Sequence, residues 1–138
     1  MDDFKKQVIK IPIQPSKIKE NGRWHLYMDE VPMPEGFNPI KEIDHIVFVP
    51  PNEFAGNHKH KRQEVLLGLH PDLVFIWQDE KGEIHKEQMN PNGKLLLFFI
   101  PSFIPHGVIN KSDISPAILY EWTDSESEEK EEVNLLDH

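Results

Sequence analysis

Short apolar segments separated by turn residues follow one another along the middle of the chain. They have the length and composition of β-strands, and no segment shows the 3.6-residue period of a long helix. Short strands at roughly ten-residue spacing are typical of an all-β sandwich or barrel. The predicted strands are His45–Val49, Glu64–Leu69, Leu73–Gln78, Glu83–Glu87, Lys94–Ile100, Gly107–Ile109 and Ala117–Trp122.

The two ends of the chain differ from this middle part, residues 44–123, which we predict to form the barrel. Residues 1–43 are rich in proline and show only a weak alternation at Ile9, Ile11 and Ile13. We expect them to form an irregular N-terminal extension that packs on the barrel or swaps with it. Residues 124–138 form an acidic tail, in which six acids accompany one lysine up to Glu132. This charge predicts a solvated extension, with a short helix over residues 133–136.

Composition excludes several classes of function. The chain has 138 residues, which suits one domain, and a net charge of −9, which opposes binding to nucleic acid or an anionic membrane. The absence of cysteine excludes disulfides and thiol nucleophiles, so a metal ion would need His, Asp or Glu ligands. The N-terminus has no apolar run typical of a signal peptide, and we expect a cytoplasmic protein.

The candidate chemistry lies in two segments. The first contains His58, His60 and Glu64; histidines two apart on a strand share a face, roughly 7 Å apart, and can reach one metal ion. The second adds His106 after an apolar strand, followed four residues later by Asn110. Two or more histidines with one carboxylate are ligands that suit Fe, Mn or Ni, and Zn takes the same donors.

Together the two segments resemble the paired motifs of the cupin superfamily, G-x5-H-x-H-x3,4-E-x6-G and G-x5-P-x-G-x2-H-x3-N. His58, His60 and Glu64 match the first motif, whereas Pro101, His106 and Asn110 match the second; several motif glycines are replaced. The resemblance implies an antiparallel jelly-roll barrel whose ligands point inward, with His58, His60, Glu64 and His106 as metal ligands. It also implies a small-molecule substrate that enters at the mouth of the barrel.

One cupin subgroup is more similar, the sugar-nucleotide 3,4-ketoisomerases, which are single domains with an H-x-H-K motif. The segment His58-Lys59-His60-Lys61 resembles that motif, although the arginine that precedes it in the subgroup is absent. This likeness implies an isomerase or epimerase on a carbohydrate or nucleotide-sugar derivative, with His58, His60 and His106 as proton carriers. Lys61, Arg62 and Asn110 are then candidates for binding the substrate.

Two other functions fit the same residues. A metal-dependent dioxygenase of the non-haem type would use the four ligands to hold Fe, Mn, Ni or Zn, whereas the isomerase needs no metal. A non-enzymatic cupin would bind a metabolite or a sugar without turnover. Residues 94–100 are apolar on both faces, which predicts a strand covered outside by a second subunit of a homodimer.

Overall fold

The computed structural model describes residues 6–136, so the outer ends of both predicted end segments lie outside the described residues. Within that range the chain contains β-strands and three short 3-10 turns, and no α-helix. No helix in this range is long and apolar enough to cross a membrane. The strands are β1 (Ile9–Pro12), β2 (Lys17–Ile18), β3 (Trp24–His25), β4 (His45–Val49), β5 (Phe54–Lys59), β6 (Glu64–Gly68), β7 (Leu73–Gln78), β8 (Ile84–Gln88), β9 (Leu96–Ile100), β10 (His106–Asn110), β11 (Ala117–Thr123) and β12 (Glu131–Glu132).

Two five-stranded sheets carry the fold, and every pair of neighbouring strands in them is antiparallel. The first has the order β1-β9-β6-β11-β4 and the second the order β12-β5-β10-β7-β8. The main core lies between them and contains Phe75, Phe98 and Leu119, which are at most 2% exposed. The predicted all-β jelly-roll class is confirmed. Hydrogen bonds between the described strands do not close the two sheets into one continuous barrel.

The N-terminal segment covers the outer face of the first sheet. Val65 and Leu97 point away from the main core and pack instead with Ile13, Val31 and Phe37 in a second apolar cluster. This explains why the β9 segment is apolar on both faces: the same chain covers its outer side, so that side calls for no second subunit. The homodimer therefore remains a prediction, and the apolar outer face of β9 no longer supports it.

The acidic tail does not extend freely into solvent. Its strand β12 pairs with β5, and Leu135 is buried at 2% exposure. Residues 133–136 form no helix. The helix predicted over residues 133–136 was wrong, whereas residues 126–132 are exposed, as expected of a solvated segment. Backbone hydrogen bonds to a sheet edge hold the tail in extended form.

Candidate active site

Four side chains from three strands converge at one end of the sandwich. His58 lies on β5, His60 directly follows that strand, Glu64 begins β6 and His106 begins β10. One ligand-type atom from each of the four lies within 4.8 Å of the others. The centroids of the three imidazole rings are 4.7 to 5.0 Å apart. The structure thus brings together all four residues predicted as one cluster.

An irregularity in the pairing of β5 with β10 positions the histidines. His106 pairs with His58 and Gly107 pairs with Gly56, so Asn57 between them is an extra residue with a left-handed φ of 69°. A Cβ atom on Gly107 would lie 2.9 Å from the backbone nitrogen of Asn57. Only glycine leaves room for this approach, which sets His58 opposite His106.

Backbone carbonyls fix two of the imidazole rings. The Nδ1 atoms of His60 and His106 donate to the carbonyl oxygens of Arg62 and Ile104, each at 2.8 Å. A carbonyl only accepts, so Nδ1 carries the proton and the Nε2 atom of each ring faces the cluster. Both Nε2 atoms point at Oε1 of Glu64, at 3.4 and 3.3 Å respectively. Two lone pairs and a carboxylate facing one another call for a proton or a cation between them.

This arrangement can hold a metal ion. Three imidazole nitrogens and one carboxylate oxygen are a donor set that Fe, Mn, Ni and Zn accept in proteins. Nε2 of His60 is buried and has no hydrogen-bond partner among the described residues, as a ligand atom directed at a cation would be. The backbone carbonyls that orient His60 and His106 correspond to the outer contacts that metal-binding histidines commonly make.

The carboxylate of Glu64 is stabilised in its charged form. Burial opposes its ionisation, but the hydrogen-bonding contact with His106 and the nearby imidazole of His60 outweigh burial and hold the pKa well below its usual range. Arg62 donates from Nε to Oε2 of Glu64 at 2.9 Å. Glu64 is therefore a negative charge that orders the imidazoles on one side and Arg62 on the other.

Glu121 belongs to the same site, and the sequence analysis missed it. It lines the same cavity, and its Oε2 lies 3.9 Å from Nη2 of Arg62. Burial, and then the charge of Glu64, raise the pKa of Glu121 to about 9, so at neutral pH it carries a proton and donates to Glu64. The sequence did contain a signal for it. Glu121 lies two residues after the buried Leu119 on the same strand, so both side chains point to the same, inner face of the sheet.

His58 differs from the other two imidazoles in its exposure. It is partly exposed, whereas His60 and His106 are buried at 3%. Burial, followed by the neighbouring rings of His106 and His60, lowers the pKa of His58 to about 4. At neutral pH this imidazole is unprotonated and can accept a proton.

Three residues of the cluster, His58, Glu64 and His106, line a small cavity between the two sheets, together with apolar side chains such as Leu66 and Val108. The cavity has a volume of about 60 Å³. This volume holds a few water molecules and not a large ligand. The cavity can take the reacting atoms of a substrate, and the rest must lie outside.

The three residues predicted to bind substrate lie in different places. Arg62 lines the cavity, and Lys61 beside it is exposed. Asn110 lies at the far end of β10 from His106 and is fully buried. Its amide nitrogen lies 2.9 to 3.2 Å from the carbonyl oxygens of Val49, Pro50 and Ser115. The structure does not bring Asn110 to the cluster.

Comparison with known proteins supports the fold. No family model and no curated protein matches the chain. Among solved structures, a dTDP sugar isomerase from Desulfovibrio desulfuricans G20 is similar, with a TM-score of 0.71 and 14% identity over 95% of this chain and 86% of that one. A sugar 3,4-ketoisomerase from Thermoanaerobacterium thermosaccharolyticum in complex with TDP has a TM-score of 0.63 at 14% identity, over 88% and 82% of the two chains.

A dTDP-4-dehydrorhamnose 3,5-epimerase from Sulfolobus tokodaii gives a TM-score of 0.64 at 14% identity, over 93% of this chain and 76% of that one. The capsular polysaccharide assembling protein CapF from Staphylococcus aureus matches with a TM-score of 0.59 at 18% identity over 67% of this chain. This chain spans 27% of the length of CapF. These likenesses confirm the fold that the motif resemblance implied, and the activity has to be argued from the site.

Proposed function

We propose that the protein is an isomerase or epimerase that acts on a carbohydrate derivative, with imidazoles as its proton carriers. The observation that supports this most is the set of three imidazole rings with centroids at most 5.0 Å apart, two of which, those of His58 and His106, line one small cavity. Histidine can take up and return a proton near neutral pH, as moving a proton between positions next to a carbonyl group requires. The fold shared with sugar isomerases and epimerases suits such a reaction.

In this proposal His58 is the base. It is the partly exposed imidazole, it lines the cavity, and its lowered pKa keeps it unprotonated at pH 7. It takes the proton from the carbon next to the substrate carbonyl, and the electrons of that C–H bond move into an enediolate. The imidazolium of His58 then returns this proton to carbon, which completes the isomerisation or epimerisation. His106, whose Nδ1 is held by the carbonyl of Ile104, faces the same cavity with the lone pair of Nε2, so it can carry a hydroxyl proton between the two oxygens of the enediolate.

Proton exchange tests this proposal without knowledge of the natural substrate. Unmodified keto sugars and their nucleotide derivatives are incubated in D₂O, and deuterium uptake next to the carbonyl is followed by NMR. We expect His58→Asn to reduce exchange by about 10²- to 10⁴-fold. His70→Asn is the matched control, because His70 lies in the turn after β6, at the other end of that strand from Glu64. Full exchange by the His58 variant would refute the assignment of the base.

A metal-dependent dioxygenase is the second candidate, and the partnerless Nε2 of His60 favours it. His58, His60, Glu64 and His106 would hold the ion, which when bound would supply positions for O₂ and substrate. Metal analysis of untagged protein by plasma mass spectrometry, with His58→Ala as comparison, tests this. Near-stoichiometric iron lost in the variant, with O₂ uptake, supports the dioxygenase. Exchange that survives complete metal removal supports the isomerase, and ligand binding without either reaction indicates a binding protein.

A further inference from the structure

The tail is fixed to residues that flank His58 and His60 in the sequence. We call residues 124–136 the C-terminal strap. At its first end, Oδ1 of Asp124 accepts from the backbone nitrogen of Gln63 at 2.8 Å. Nearby, Nη1 of Arg62 donates to the carbonyl oxygen of Ser127 at 2.9 Å. The strap thus begins against an arginine that lines the cavity.

The second end of the strap is bound to Asn57. The backbone nitrogen of Val133 donates to the carbonyl oxygen of Asn57 at 3.1 Å. The nitrogen of Leu135 donates to Oδ1 of the same residue at 3.0 Å, and the Leu135 side chain is buried. Because both ends are held beside His58 and His60, the chain between them has to pass the cluster.

The strap passes beside His58, the most exposed residue of the cluster. Of the four clustered residues His58 alone is partly exposed, and β12 pairs with β5 at this residue. Glu132 is the partner of His58 in the register, and paired residues on neighbouring strands point to the same face of a sheet. Glu132 therefore lies on the face of the sheet that carries His58.

The strap makes this side of the site acidic. Residues 126–132 contain five glutamates and one lysine, a net charge of −4. The nearby cations are largely engaged: Nζ of Lys59 lies 3.8 Å from Glu131, and Arg62 contacts Glu64 and Glu121. Lys61 and Lys130 are the remaining basic residues of these two segments. Together they do not balance the carboxylates.

From this geometry we infer that the strap selects an uncharged, hydroxyl-bearing carbohydrate and excludes nucleoside diphosphates. This inference rests on the proposed function and narrows its substrate class. The cavity admits only the reacting atoms, and the strap contacts His58 and Arg62 of its lining, so we place the remainder of a larger ligand outside the cavity and beside the strap. A diphosphate there would face carboxylates with few free cations, whereas hydroxyl groups can bond to carboxylates and serines. In this respect the site would differ from the similar ketoisomerase fold solved with TDP.

Thymidine and dTDP form a matched pair of probes, since they differ only in the diphosphate. Both are titrated into the full chain by NMR at low salt. The test variant carries E126Q, E128Q, E129Q, E131Q and E132Q. The control variant carries five equally exposed changes outside the strap, E20Q, E30Q, E35Q, E42Q and E53Q. Circular dichroism and thermal melting check that all three proteins fold.

We expect wild type to bind dTDP no more tightly than thymidine. In the strap variant the affinity for dTDP should rise by about tenfold relative to thymidine, and added salt should reduce that gain. The control variant should keep the wild-type ratio. Tenfold preference for dTDP in wild type, an equal gain in the control, or no gain in the strap variant would overturn the inference.

The same proteins separate this inference from the proposed function. Proton exchange on uncharged keto sugars reports the isomerase activity, and the ratio of the two dissociation constants reports the strap. Absence of exchange together with the expected shift in the ratio of dissociation constants would refute the proposed isomerase activity and support the inferred selectivity of the strap. Exchange that is faster on nucleotide sugars than on the uncharged sugars would support the enzyme and refute the selectivity.

Discussion

Strand β10 carries a buried polar residue at each end, and the two ends differ in how well those residues are satisfied. At one end Asn110 has carbonyl acceptors for its amide nitrogen, and its Oδ1 accepts from the backbone nitrogen of Ser112 at 3.0 Å. At the other end His106 meets Glu64 and His60, whose Nε2 lacks a partner among the described residues. A saturated polar group fixes the fold, whereas an unsatisfied cluster marks the place for chemistry.

The largest loss of stability is expected at Asn110, the end of β10 where the polar groups are saturated with hydrogen bonds. Replacing Asn110 with alanine leaves buried carbonyl groups and the Ser112 nitrogen without their partner, so Asn110→Ala should lower the free energy of unfolding by about 2–4 kcal/mol. Urea denaturation measures this loss. Asn21→Ala is the control, because Asn21 is exposed and accepts one hydrogen bond, from Arg23; its cost should stay within about 0.5 kcal/mol. A loss below about 1 kcal/mol for Asn110→Ala would contradict the claim that the hydrogen bonds of Asn110 stabilise the fold.

At the cluster we expect a substitution, Glu121→Gln, that raises the stability of the protein instead of lowering it. The pKa of Glu121 is raised above its value in the unfolded chain, so its contribution to stability is lost as pH rises from about 4.5 towards 9. Glu121→Gln removes this ionisation and keeps a donor towards Glu64. In metal-free protein the variant should be more stable than wild type at pH 8, by on the order of 2 kcal/mol, and nearly equal at pH 5. Thermal melting at the two pH values tests this, and a gain independent of pH would refute it.

For His58 we expect a smaller change in stability, and it should occur at acid pH. Its folded pKa of about 4 lies below that of an ordinary histidine, so its contribution is complete above about pH 6.5 and is lost as pH falls towards 4. The stability advantage of wild type over His58→Gln should fall by about 1 kcal/mol between pH 7 and pH 4.5, a figure reduced for partial exposure. Urea denaturation measures it. NMR titration of the His58 ring with a midpoint near 6.5 would contradict the prediction.

Much of this fold was predictable from the sequence, because turn chemistry and alternation are local. The predicted strands His45–Val49 and Leu73–Gln78 have the observed bounds. The four clustered residues were also predictable, since the spacing of His58, His60 and Glu64 and the position of His106 after a strand follow cupin motifs. These patterns depend on residues close together in the chain.

The parts that were not predicted depend on pairing between distant segments. Glu121 reaches Arg62 and Glu64 only because β11 lies beside β6 in the first sheet. The strap has a composition typical of solvated chain, and its binding comes from backbone hydrogen bonds that composition does not encode. Its apolar Leu135 was the one local sign that the tail is docked.

Asn57 joins the geometry of the histidine cluster to the tail in a way that matters for redesign. Its left-handed backbone sets the spacing of the histidine pair against β10, and its carbonyl and side-chain oxygens hold Val133 and Leu135. Transplanting the ligand motif to another jelly roll would therefore carry a docking point for a C-terminal segment with it. Conversely, a tail moved to a recipient without a side-chain acceptor at this bulge would lose the hydrogen bond to the Leu135 nitrogen.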